Sequence, residues 1–252
     1  MNRVKIAAGN WKMFGNSVQN AELFNAFHAV ATDIGGEVMI FAPFVYIPEL
    51  LALKKQNNSK VVIGAQNICD QAQGAYTGEI SAAMLADIGC SHVLVGHSER
   101  RSIYQETNAA TAEKYELALN NGLMPILCVG ETLEQREAEQ TMAVVLSQID
   151  AVAEKVGFET LCNTIIAYEP VWAIGTGKTA SPDQAQEVHA AIRAHLRAQV
   201  GDNAEKTRIL YGGSVNASNA DELFAMTDID GGLVGGASLK ADGFTVICNA
   251  AG

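Results

Sequence analysis

The sequence predicts an α/β protein built as a single closed (β/α)8 barrel. Three observations lead there. Eight short, continuously apolar runs recur along the 252 residues, the pattern of parallel strands covered by helices. Segments with helical spacing separate them. No linker, charge block or low-complexity tract breaks the alternation, so residues 1–252 read as one domain. An open doubly wound sheet is the runner-up, but eight near-regular repeats favour closure.

The predicted strands are 5–10, 38–42, 61–65, 92–96, 124–129, 164–168, 208–211 and 231–234. Each is too short and too evenly apolar for an amphipathic helix. The clearest helix follows the sixth strand: Val188, Ile192, Leu196 and Val200 fall every fourth residue, with Glu187, Arg193 and Arg197 on other faces. Ser181-Pro182-Asp183 ahead of it supplies an N-cap with proline at the first helical position. The main irregularity is the polar connection from Gln66 to Glu79, which carries Gly74 and Gly78. It is long for a barrel, and on length alone it reads equally as a surface loop or an interaction loop.

The formal net charge of −11 argues against nucleic acid and anionic membranes as partners. An anionic substrate then needs a local positive site. Five scattered cysteines (Cys69, Cys90, Cys128, Cys162, Cys248) without a Cys-x-x-Cys pair fit a reduced, intracellular protein rather than a disulfide framework or zinc site. The first ten residues lack a signal-peptide core and no run of about 18 apolar residues exists. The expectation is a soluble cytoplasmic protein.

In a barrel the C-terminal ends of the strands carry the chemistry. The first strand delivers Asn10-Trp11-Lys12, the fourth Gly96-His97-Ser98-Glu99-Arg100, the sixth Glu169, the seventh Gly212-Gly213-Ser214 and the eighth Gly235-Gly236. Glu169 stands between a buried strand and Pro170, with Gly175 and Gly177 beyond: a base fixed beside a loop built to move. His28, His189 and His195 fall in helical segments and His92 at a strand start, so His97 alone is an imidazole at the catalytic rim. Cys128 sits inside a strand and reads as core. Glu131 reads as a helix cap. The glycine turns suit a phosphate, because backbone N–H groups approach an anion closely where no Cβ intervenes. Gly177-Lys178-Thr179 is not a nucleotide loop, since Trp172 stands where that motif needs glycine, and no Gly-x-Gly-x-x-Gly follows the first strand. The acidic residues show no metal-ligand spacing.

Five segments in order resemble the triosephosphate isomerase family: Gly9-Asn10-Trp11-Lys12-Met13, residues 96–101, residues 167–178, Tyr211-Gly212-Gly213-Ser214-Val215 and residues 232–239. The resemblance spans essentially the whole chain. Phe14 departs from the asparagine expected after the first motif, which touches loop packing rather than a catalytic group. The resemblance implies interconversion of dihydroxyacetone phosphate and glyceraldehyde 3-phosphate, in glycolysis and gluconeogenesis, without cofactor or metal. It assigns Glu169 as base, His97 as electrophile, and Asn10 and Lys12 as groups that stabilise negative charge. A neutral imidazole under a helix N-terminus and a closing loop, here 170–179, are known properties of this family. Main-chain groups of Gly175, Ser214, Gly235 and Gly236 would hold the phosphate, with Glu99 as partner of Lys12 or secondary relay. The family is usually homodimeric, which makes the Gln66–Glu79 connection a dimer loop and Thr77 a buttress of the partner's 10–12 segment. Two rivals remain open from the residues: another phosphosugar barrel enzyme, marked by metal dependence or a Schiff-base lysine, and a non-catalytic phosphate-binding barrel.

Overall fold

The apolar runs become strands, and their period of two decides what lies inside. In the computed structural model, which describes residues 3–174 and 180–252, the strands are β1 Ile6–Asn10, β2 Glu37–Ala42, β3 Val62–Ala65, β4 His92–Val95, β5 Met124–Val129, β6 Ile165–Tyr168, β7 Arg208–Tyr211 and β8 Gly231–Val234. They pair in parallel and in chain order, and β8 closes on β1 with Ile6 beside Gly231 and Gly9 beside Val234. Ile6, Ala8, Met39, Phe41, Leu94, Ile126, Cys128, Ile165, Ala167, Leu210 and Leu233 fill the barrel interior as one apolar cluster. Their strand neighbours Ala7, Ile40, Val93, Leu127, Ile166 and Ile209 join a larger cluster with the helices. Both faces of each strand are therefore buried, which is why the runs are continuously apolar.

The predicted ends differ by a residue for local reasons. Gly96 leaves β4 because its φ is +73°, in the left-handed region. Thr164 stays outside β6 because its N–H and hydroxyl both bond back to Leu161 O, closing the preceding turn.

Helices in the connections are α1 Ser17–Asp33, α2 Ile47–Gln56, α3 Ala82–Asp87, α4 Ser98–Ile103, α5 Asn108–Asn120, α6 Leu133–Glu137, α7 Thr141–Val156, α8 Phe158–Cys162, α9 Pro182–Val200, α10 Ala220–Phe224 and α11 Ala241–Ala250. In α9 the expected stripe is buried through Val188, Ile192 and Leu196, and the Ser181 cap is completed by Gln184 in a capping box. Arg193 is a correction. Expected away from the apolar stripe, it is 3 % exposed, bonded to Asp228, Asp230 and the carbonyls of Ala204 and Thr207. Its partners lie beyond the helix, where helical spacing gives no sign of them.

The same period of two carries the polar strand ends to the barrel mouth. Asn10 continues the inward row of Ile6 and Ala8, and Glu169 that of Ile165 and Ala167. Gly212 and Gly235 follow Leu210 and Leu233. On the same rim the 66–79 connection projects outward, with residues 71–79 all exposed. Among the described residues no helix is long and apolar enough to cross a membrane.

Candidate active site

Glu169 leaves β6 pointing inward and is only 2 % exposed. Its Oε2 accepts the Ser98 N–H at 2.9 Å, and its Oε1 lies 2.8 Å from His97 Nε2. The backbone makes room for it: a Cβ on Gly212 would stand 2.8 Å from Glu169 Cγ, so the glycine after β7 is the wall behind the carboxylate.

His97 is the N-cap of α4, and its Nδ1 accepts the Glu99 N–H at 3.2 Å. That leaves Nε2 carrying the proton and directs it at Glu169. Burial alone would lower the basicity of the ring, but the Glu169 carboxylate beside it and the charge of Glu99 together outweigh burial and raise it. The reciprocal holds for Glu169. Burial would raise the carboxyl, yet His97, the Ser98 N–H and Lys12 together hold it below its ordinary value. Each group is tuned by the other, so whatever separates them retunes both.

Lys12 follows β1 with φ +51°, an uncommon conformation for a residue with a side chain. Asn10 Oδ1 accepts its N–H at 3.0 Å, and Gln66 Nε2 donates to its carbonyl at 2.9 Å. The ammonium pairs with Glu99 Oε1. A Cβ on Gly235 would lie 3.3 Å from Lys12 Cε, so the lysine stem lies along the turn after β8. Asn10, Lys12, His97, Glu169, Ser214, Gly235 and Gly236 line one cavity of ≈ 380 Å³. Glu99 lines the adjoining cavity of ≈ 190 Å³ with Lys12, Met13 and Tyr104. Thr77 stands on the exposed connection and lines neither cavity. Gly175 and residues 176–179 of the expected lid lie outside the described residues.

Residues 5–251 match the family model described as Triosephosphate isomerase. The chain belongs to the triosephosphate isomerase family. It is similar over its full length to the triosephosphate isomerase of Alcanivorax borkumensis, 53 % identical with 100 % of each chain covered. The triosephosphate isomerase of Nitrosomonas eutropha is 52 % identical, with 100 % of this chain and 99 % of that one covered. That of Pseudomonas fluorescens is 53 % identical over 99 % of each. The chain is therefore an isomerase with a small phosphorylated molecule as substrate.

Strand-end reasoning found the polar groups at the mouth of this isomerase but misread Glu131 and passed over Gln66 and Arg101. Glu131 does not cap α6; Thr132 does, with Gln135 completing a capping box. Glu131 is instead fully buried and accepts from Tyr168 Oη at 3.1 Å and Trp172 Nε1 at 2.9 Å, tying down the start of the 170–179 segment. Arg101 donates to Gly96 O at 2.7 Å and Cys128 O at 3.3 Å, bracing the turn that presents His97. Gln66 stands directly after β3, where the strand-end rule would have found it.

Proposed function

We propose that this enzyme interconverts dihydroxyacetone phosphate and D-glyceraldehyde 3-phosphate by proton transfer through an enediolate. Glu169 is the base: it takes a proton from the carbon beside the carbonyl and returns it to the neighbouring carbon. His97 donates from Nε2 to the carbonyl oxygen, and proton exchange between the two substrate oxygens runs through the same nitrogen. Asn10 and Lys12 balance the charge that develops on those oxygens, with Lys12 also meeting the phosphate. The phosphate lies against Ser214, Gly235 and Gly236, with Gly175 added from the lid. That a chain of net charge −11 attracts a dianion rests on Lys12.

The observation that carries this reading is the close Glu169–His97 pair in one cavity with Lys12. Substrate entering between them removes the reason each is held where it is. With the partner's offset gone, burial pushes the carboxyl up and the imidazole down, the directions that favour a stronger base beside an uncharged donor. Glu99 holds the ammonium when no substrate is present. No step calls on a cofactor.

Residues 1–252 act as one barrel domain, and two copies form a homodimer through the 66–79 connection, Thr77 buttressing the partner's residues 10–12. Support comes from exposed apolar side chains along the same rim. Met13 and Tyr104 share one cavity wall, and Tyr104 and Tyr76 the next. The five buried free cysteines agree with a cytoplasmic setting.

The deciding experiment supplies dihydroxyacetone phosphate in deuterated water. Interconversion with deuterium at the substrate carbon is expected; isomerisation dependent on added metal, or binding without carbon exchange, defeats the reading. Sedimentation at the mass of one chain under assay conditions would defeat the dimer.

A further inference from the structure

Lys12 is held in a conformation that its own side chain disfavours, and its two main-chain polar atoms are both held by side chains. Asn10 Oδ1 takes the N–H, and Asn10 is already assigned to the substrate. The carbonyl belongs to Gln66, whose Nε2 donates at 2.9 Å to Lys12 O and at 2.9 Å to Phe41 O. Phe41 O also accepts the Trp11 N–H at 3.0 Å, so one carboxamide nitrogen pins the residue after Trp11 to the end of β2. Strained backbone of this kind persists only where its surroundings over-determine it. Gln66 also lines the same cavity wall as Lys12, His97 and Glu99, half-buried, without being needed as a wall for the larger cavity.

We propose that Gln66 is a positioning residue for the reaction: it locks the left-handed turn at Lys12 and so fixes where the ammonium sits, between Glu99 when the site is empty and the substrate anion when it is full. The side chain makes no contact with substrate. Its effect runs entirely through Lys12, and the inference rests on Lys12 having the role given above. Because Gln66 opens the 66–79 connection, it also joins the proposed dimer loop to the active-site lysine through a single amide.

A double-mutant cycle tests this. Gln66→Met keeps the side chain's length and removes both donated bonds. It is expected to lower kcat/KM about ten-fold, the effect of losing bonds of ordinary strength, and to weaken inhibition by inorganic phosphate in parallel. Lys12→Met is expected to lower kcat/KM by roughly 10²–10³-fold. With Lys12 already gone, adding Gln66→Met should cost less than about two-fold, since coupled residues fail to add. Full additivity overturns the proposal, as does an unchanged kcat/KM in folded Gln66→Met beside a damaged Lys12→Met. An inert Lys12→Met would instead overturn the role of Lys12 itself. Should Gln66→Met lose its circular dichroism signature, Gln66→Asn, too short to reach both carbonyls, goes through the same cycle against the same outcomes.

Discussion

A carboxylate with 2 % of its surface exposed must have its oxygens satisfied, and Glu169 meets that condition with one backbone N–H and one imidazole. Those two partners fix both carboxylate oxygens, so the length of the side chain is the sensitive variable. Shortening it by one methylene in Glu169→Asp pulls the oxygens back by ~1 Å, a misplacement that costs roughly 10²-fold in rate. Steady-state kinetics should show that loss in kcat with little change in KM and a preserved melting temperature; near-normal turnover would remove Glu169 as base. At this scale the sequence was most readable where residues carry charge or titrate. Lys12, His97 and Glu169 announce themselves at strand ends. Gln66 occupies an equivalent place, but a carboxamide neither ionises nor binds metal, so its type gives no hint of the strained carbonyl it holds 54 positions away.

The elements themselves were legible because parallel strands buried on both faces leave a continuous apolar run, and all eight predicted runs became strands. What spacing could not show were contacts between connections. Glu131 looked like a cap because it precedes α6. Its carboxylate instead reaches across to Tyr168 and Trp172, while Arg136 lies 3.4 Å from it and over the Trp172 ring at 4.6 Å. Its carbonyl accepts the Val171 N–H as well. Residues 170–174 are thus moored to the β5–α6 connection by a carboxylate. In Glu131→Gln the charge that gathers three donors is gone, and charged hydrogen bonds of about 1.5–3 kcal/mol each become neutral ones. Trp172 should then report the change, because the chain's other tryptophan, Trp11, is fully buried. The expected result is red-shifted, more readily quenched emission and a several-fold lower kcat. Unaltered emission would show that the carboxylate does not moor this segment.

At the scale of the whole molecule, the fold holds an imidazole that it will not let charge. His189 on α9 is fully buried, its ring edge-on to Tyr168 at 5.8 Å and tilted against Tyr211 at 6.3 Å, with Nδ1 donating to Asp228 O at 3.2 Å. Burial is the main cause that pushes it from 6.5 down to about 4, and the nearby Arg193 charge adds to it. The unfolded chain takes up this proton as the pH falls through about 6.5, whereas the native protein refuses it until about 4. Unfolded molecules therefore bind more protons across that window, and stability falls as the pH drops through it. Full titration of the gap is worth roughly 3 kcal/mol, and nothing further is lost to this group below the window. His92, also lowered to about 4 by burial and by the Arg208 and Lys54 charges, acts with the same sign. The lowered carboxylates Glu106 and Asp228 lose their contribution at still lower pH, since their ordinary values are 4.5 and 3.8. Denaturant unfolding between pH 7 and 4.5 separates these contributions. His189→Asn should start less stable at pH 7, from the space it leaves, and then lose less stability on acidification than the unmodified chain. Parallel curves for the two proteins would mean that His189 is not the group whose refusal to charge makes this barrel acid-sensitive.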